Sequence, residues 1–237
     1  KTLAITCDPD SSQYNDFMIL SPETAEDSVI MTRSFTSMVY LAVILAFYAG
    51  KCQEKIDAMK NYGKEAEEFL KACDETAKQI VEDHPELNLF ITLGQGINYG
   101  IANECMNKMK EMSLSNSEAY YTLEYRHGPM SLADDKTMII LLGNEDTADG
   151  DKKLLEEMKS YGAVILAVWG MASGRYGAAD YTLNLDYGYD SLQNGAMIGF
   201  IGQMMGYYLA EKKGLNADTP RHLSQAIVIQ ENINIEQ

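Results

Sequence analysis

The chain has 237 residues, 46% of them hydrophobic and 23% charged, proportions that fit one large or two modest globular domains. Its formal net charge is −16 with no block of lysine or arginine, which excludes nucleic acid as a partner and leaves any anionic ligand dependent on local donors such as helix N-termini and hydroxyls. The four cysteines (Cys7, Cys52, Cys73, Cys105) stand far apart without a C-x-x-C pair, so zinc-knuckle and dithiol chemistry are excluded and a reducing cytoplasm is the expected setting.

The strand-like runs "KTLAITC" and "DFMIL" open the chain with no initiator methionine before them. A natural chain seldom begins in mid-sheet, so an amino-terminal part is expected to be missing. A helix over residues 32–50 follows. Its apolar run "MVYLAVILAFYAG" falls short of the about 20 residues a membrane span needs, so a buried core helix is expected, with no membrane partner and no signal peptide. Helical patterns over 52–61 and 64–83 make a charged link that His84–Pro85 ends, because the residue before a proline resists the α region.

From residue 87 the runs "LNLFITL", "TMIILLG", "AVILAVW" and "DYTLNL" alternate with helical stretches over 98–112, 151–161 and 189–213. Near-continuous apolar strands alternating with helices predict an α/β fold, a parallel sheet covered on both faces. The expected organisation is an incomplete first unit over 1–50, linking helices over 51–86, a complete second unit over 87–214, and a tail over 215–237.

"LGQGINYG" follows a strand and opens a helix, but its glycines fall as G-x-G-x-x-x-G, which is not a dinucleotide turn. Close helix–strand packing explains them better, and no cofactor is implied. In the helix after it, Ile101, Cys105, Met109 and Met112 recur at helical spacing and predict the buried stripe. Glu104, Lys108 and Glu111 share another row. Spacing alone favours a solvated charge ladder there. The alternative is a carboxylate tuned by a neighbouring ammonium to act as a base.

His127, one of three histidines, sits in "LEYRHGPM" beside Glu124 and Arg126, just before the Gly128–Pro129 turn. Imidazole titrates near neutrality. One short segment separates Glu111 from His127, so both can border one cleft. His84 and His222 have no such company and are expected to be structural. No pair of histidines has metal-ligand spacing, so no metal is implied. "GMASGRYG" lacks the G-x-S-x-G elbow of a serine nucleophile.

Three strings, in order, resemble the sugar isomerase (SIS) domain family. "LGQGINYGIANECMNKMKEMS" with "SEAYYTLEYRHGP" looks like the second SIS half of glucosamine-6-phosphate synthase and related phosphosugar isomerases and deaminases. "EDSVIMTRSFT" is similar to the segment entering the last helix of a first SIS half, and "GLNADTPRHLSQAIVI" to the carboxy-terminal signature. The resemblance implies flavodoxin-like three-layer units in a double-SIS architecture, here with the first half incomplete, that bind a phosphosugar and assemble as a homodimer or higher homo-oligomer.

By position, Glu111 resembles the base that shuttles a proton between C1 and C2, with Lys108 as its charged neighbour and Glu104 and Glu124 in support. His127 resembles the ring-opening histidine, in some members donated across a dimer interface. Val29, Thr32 and Gln225 resemble parts of the sugar pocket. Gln225 stands where synthases carry a lysine, and an amide cannot form a Schiff base, so amino transfer by the synthase route is not expected. The Ser/Thr-rich phosphate turn of a first SIS half is absent from this sequence, so the chain alone is expected to bind phosphosugar weakly.

The function implied is an aldose–ketose isomerase, deaminase or deglycase acting on an amino-sugar or glycated-amine 6-phosphate. Two alternatives remain: the isomerase domain of a glutamine–fructose-6-phosphate aminotransferase, and a non-catalytic, phosphosugar-binding regulatory SIS module. Glu111 together with His127 favours an enzyme.

Overall fold

A computed structural model describes residues 1–169 and 177–224. Strands β1 (Leu3–Thr6) and β2 (Phe17–Leu20) form a two-stranded parallel ladder with Leu3 opposite Phe17. Helix α1 (Arg33–Ala49) follows, then the short α2 (Gln53–Ala58) and the long amphipathic α3 (Tyr62–Asp83). The rest is an alternating run: β3 (Leu89–Gly94), α4 (Ile97–Ser113), β4 (Asn116–Tyr121), β5 (Thr137–Leu142), α5 (Ala148–Ser160), β6 (Val164–Trp169) and β7 (Tyr181–Asn184). Helices α6 (Ser191–Ile198) and α7 (Phe200–Lys212) close it.

These five strands form one all-parallel sheet in the order β4-β3-β5-β6-β7. β3, β5 and β6 are buried at every position, which is why their sequences are unbroken apolar runs. Alternate residues feed two cores. Phe90, Met138, Ile140 and Leu166 pack with α3, α4, α6 and α7, whereas Ile91, Ile139, Leu141 and Ile165 pack with α5. The α/β parallel architecture is the one expected. The Ile101, Cys105, Met109 and Met112 stripe is buried core, as its spacing requires.

Three local expectations fail for physical reasons. β4 was not legible as a strand, because "NSEAYY" is an edge strand with only one neighbour and so carries no apolar run. The helix over 189–213 is two helices meeting at Gly199, whose hydrogen side packs on Ile101; a Cβ there would stand 3.4 Å from the Ile101 Cγ2. Asp190 caps the first of them in a reciprocal pair with Gln193. Helix α1, expected to be core, buries only Ser34, Val43 and Phe47, and its Tyr48 is 73% exposed. Among the described residues no helix is long and apolar enough to cross a membrane.

Gly94 shows what the glycine-rich turn is for. A Cβ there would lie 2.5 Å from the Asn98 carbonyl oxygen, so only glycine lets α4 start this close to β3. Gly96, at φ +57, makes the turn itself.

One buried acid sets a pH dependence. Asp151, in the first turn of α5, is 1% exposed, and burial pushes its carboxyl from 3.8 up to about 6 against the opposing hydroxyls of Thr147 and Thr122. The folded protein therefore holds a proton that the unfolded chain releases between about pH 4 and 6. Stability from this group is present below that window and is lost as pH rises through it. Asp151→Asn should match the parent in urea unfolding near pH 4 and exceed it at pH 8, by up to about 3 kcal/mol. A gain at acid pH instead would reverse the sign of this argument.

Candidate functional site

The last turns of α4 hold the charged row. Lys108 is 4% exposed, with its Nζ 2.9 Å from Glu111 Oε2 and 3.3 Å from Glu104 Oε1. This is not a solvated ladder. An ammonium taken out of water costs several kcal/mol unless it is paired, and here two carboxylates bracket it. Burial raises the Glu104 carboxyl above its ordinary range, and Lys108 pulls it back. Glu111 is the more open of the two carboxylates, at 24%. One ammonium thus bridges a pair of acids, of which Glu111 is the more accessible.

The segment before α1 is tied down by Glu26, which the sequence did not single out. Its carboxylate accepts from the backbone N–H of Thr32 at 2.8 Å and of Ser34 at 2.6 Å, satisfying orphan donors at the start of α1. Gln203 of α7, also not anticipated, donates from Nε2 to the Thr32 carbonyl at 3.4 Å and the Thr36 hydroxyl at 3.2 Å. The Val29 N–H donates to the Asp218 carbonyl at 3.2 Å, and the Ser28 hydroxyl reaches the same oxygen at 3.4 Å. Two of the three family-like strings, far apart in sequence, meet here.

Between them opens a crevice of about 780 Å³ whose walls include Thr32, Thr36, Gln203, Tyr207, Asp218 and Met112, the residue after Glu111. Of the pocket residues expected from sequence, Thr32 lines this crevice and Val29 bonds to its rim. Gln225 lies outside the described residues.

His127 is elsewhere. Helix α4 leaves the carboxyl end of β3 and runs back beside the sheet, so Glu111, in its last turn, lies near the opposite edge. Strand β4, parallel to β3, returns the chain to the carboxyl edge, and His127 sits just beyond it on a 3₁₀ helix, Glu124–His127. At 1.5 Å of rise per residue, α4 alone separates the two levels by roughly 20 Å. The expectation that Glu111 and His127 border one cleft of the same chain is therefore corrected: neighbours in sequence, they face opposite ends of the fold. Glu124 shares the His127 end and is exposed, so it cannot support Glu111 within one chain.

His84 behaves as expected of a structural residue, sharing a 3.1 Å hydrogen bond with the Tyr181 hydroxyl at the foot of the sheet.

The profile of the SIS domain matches residues 88–211, more than half of the chain. Curated relatives include the glutamine–fructose-6-phosphate aminotransferase (isomerizing) of Buchnera aphidicola, 28% identical over 238 residues that take in 95% of this chain and 38% of that protein. The enzyme of the same name from Sulfolobus acidocaldarius is 28% identical over 220 residues, 92% of this chain and 35% of its own length. The chain thus spans less than two fifths of the length of these relatives.

Among solved structures, glucosamine-6-phosphate deaminase from Thermotoga maritima superposes with a TM-score of 0.74 at 26% identity, over 96% of this chain and 67% of that one. The C-terminal domain of glucosamine-fructose-6-phosphate aminotransferase from Francisella tularensis gives 0.80 at 25% identity, over 92% and 64%. A parallel α/β sheet with these strings at its edges, and a profile match along the whole of that sheet, mean that the chain belongs to the SIS domain family.

Proposed function

We propose that the protein is a phosphosugar aldose–ketose isomerase or deaminase, or a deglycase, acting on an amino-sugar or glycated-amine 6-phosphate by enediol proton transfer. The observation that carries this reading is the buried Lys108 held between Glu104 and Glu111 on α4, the helix whose Met112 lines the Thr32–Gln203 crevice. The names of the relatives support a phosphosugar as substrate.

Glu111 is the base. It takes the proton from C2 of the aldose, or C1 of the ketose, and returns it to the adjacent carbon. Lys108, paired with both acids, stabilises negative charge as it develops on the enediol. Thr32 offers a hydroxyl to the sugar, with Val29 and Gln225 completing the pocket. Residues 87–214 act as a second SIS unit and residues 1–50 as the carboxy-terminal half of a first. The wide spacing of the four cysteines supports a reducing, cytoplasmic setting.

His127 opens the sugar ring, and it does so in the site of a second copy. The opposite placement of Glu111 and His127 supports a homodimer in which each active site takes its base from one chain and its imidazole from the other. Glu111→Gln and His127→Ala proteins should each turn over poorly alone, and mixing and refolding the two should raise turnover in the hybrid dimers. No recovery on mixing would overturn the shared site.

A second reading, the isomerase domain of a glutamine–fructose-6-phosphate aminotransferase, is favoured by the curated relatives. Gln225 speaks against it, since the position lacks an amine. Incubating the full-length protein with glucosamine 6-phosphate, and separately with fructose 6-phosphate and glutamine, separates the two. Ammonia released without glutamine supports the deaminase, whereas glutamine-dependent synthesis of glucosamine 6-phosphate supports the aminotransferase. Binding of either sugar phosphate with no turnover would leave a regulatory SIS module.

A further inference from the structure

Helix α5 has no part in the chemistry above, yet it holds the segment that carries His127 at three points. Tyr125, wholly buried, packs in one cluster with Ala148, Leu154, Leu155 and Met158 of α5. Asp151 of α5 lies against the Thr122 hydroxyl, just past the end of β4, while accepting from the Thr147 hydroxyl at 2.7 Å. Glu157, two turns further along, places Oε2 2.8 Å from Nη1 of Arg126, the residue before His127.

The first two contacts anchor the root of the segment. Only the third reaches its tip. Beyond His127 the chain turns at once through Gly128, at φ +139. On a single 3₁₀ turn, neighbouring side chains leave the axis in directions fixed relative to each other. Clamping Arg126 therefore fixes where His127 points.

We propose that Glu157 is a positioning residue for His127: through Arg126 it sets the direction in which the imidazole leaves its own subunit, without touching substrate. The inference rests on the ring-opening role proposed for His127. It also separates position from stability. Both partners of the Arg126–Glu157 pair are about a third exposed, and ion pairs of that kind contribute little to folding. Its loss should appear in catalysis and hardly in unfolding.

The test uses fructose 6-phosphate and its 5-deoxy derivative, which lacks the hydroxyl needed to close the ring and is always open-chain. In the full-length protein, Glu157→Ala should lower kcat several-fold with fructose 6-phosphate and much less with the 5-deoxy sugar, reproducing the pattern of His127→Ala. The unfolding midpoint should stay near that of the parent. The reversed pair Arg126→Glu/Glu157→Arg should recover most of the loss. Mixed with Glu111→Gln protein, Glu157→Ala should regain activity; mixed with His127→Ala protein it should not.

An unchanged ratio between the two sugars in Glu157→Ala, while His127→Ala alters it, overturns the inference, as does a reversed pair that fails to recover. If His127→Ala itself treats both sugars alike, the ring-opening role falls first. Positioning then stands or falls on whether Glu157→Ala, which lowers kcat in the parent, has no further effect in the His127→Ala background. Glu157→Gln, which keeps one weaker hydrogen bond to Arg126, should lie between parent and alanine.

Discussion

Glu111→Gln should lower the isomerisation of fructose 6-phosphate by the full-length protein about 10²–10⁴-fold, the usual weight of a positioned acid–base group. The amide has the shape of the carboxylate and can still accept from Lys108, but it cannot take up a proton. The fold should survive, because Glu104 remains within 3.3 Å of the buried ammonium and keeps it paired. Affinity for the sugar phosphate should change little, since the crevice walls at Thr32 and Gln203 are untouched. Kinetics beside a binding titration therefore read the two roles apart. Undiminished turnover would remove Glu111 as the base, and lost binding with lost turnover would make it a pocket residue. Lys108→Met is the harsher change, for it leaves two half-buried carboxylates facing each other with no cation between them.

Gly202→Val should be the most damaging single change for stability, by more than about 3 kcal/mol. Helices α4 and α7 run side by side at the distance Gly202 permits: a Cβ there would stand 2.5 Å from the Cα, Cβ and Sγ of Cys105. Real Cβ atoms do not approach so near, and two of the three atoms cannot swing away because they belong to the backbone and its first branch. The helices would have to part. Gly206, whose Cβ would lie 3.0 Å from the Lys108 carbonyl, marks the same seam within one turn of Glu111. The slighter parting of the helices forced by Gly206→Ala should therefore reduce turnover more than it reduces the unfolding midpoint. A Gly202→Ala protein that unfolds like the parent would show that the seam has slack the geometry does not display.

Much of this architecture was legible because the central strands have only one way to satisfy themselves. β3, β5 and β6 are apolar on both faces, so their sequences announce a covered parallel sheet. β4 is an edge strand that can be polar, and its "NSEAYY" looks like a connection. That one omission had consequences for the site. Without a strand between Glu111 and His127, fifteen residues look like a short hop across a cleft. With β4 in place, the same residues run from one end of the sheet to the other.

The charged row was misjudged for a different reason. Helical spacing reports which side chains share a face, but not whether that face is wet. Helix α7 packs along α4 with Gly206 against the Lys108 carbonyl, a neighbour that no window along α4 can reveal. Glu26 and Gln203 were missed because their work is done on backbone groups distant in sequence. A capping carboxylate eight residues ahead of the N–H it serves leaves no local signature.

The joint between Val29 and Asp218 has a consequence for how this surface can drift over generations of mutation. It is made from main-chain atoms at both ends, an N–H and a carbonyl 3.2 Å apart. Nearly any side chain may be exchanged at either position without loosening it, so sequence divergence and loss of geometry are uncoupled there. Only the residue that lacks the hydrogen, proline at position 29, would cut the tie. Variation should therefore be broad at both positions among functioning variants, with a single forbidden letter.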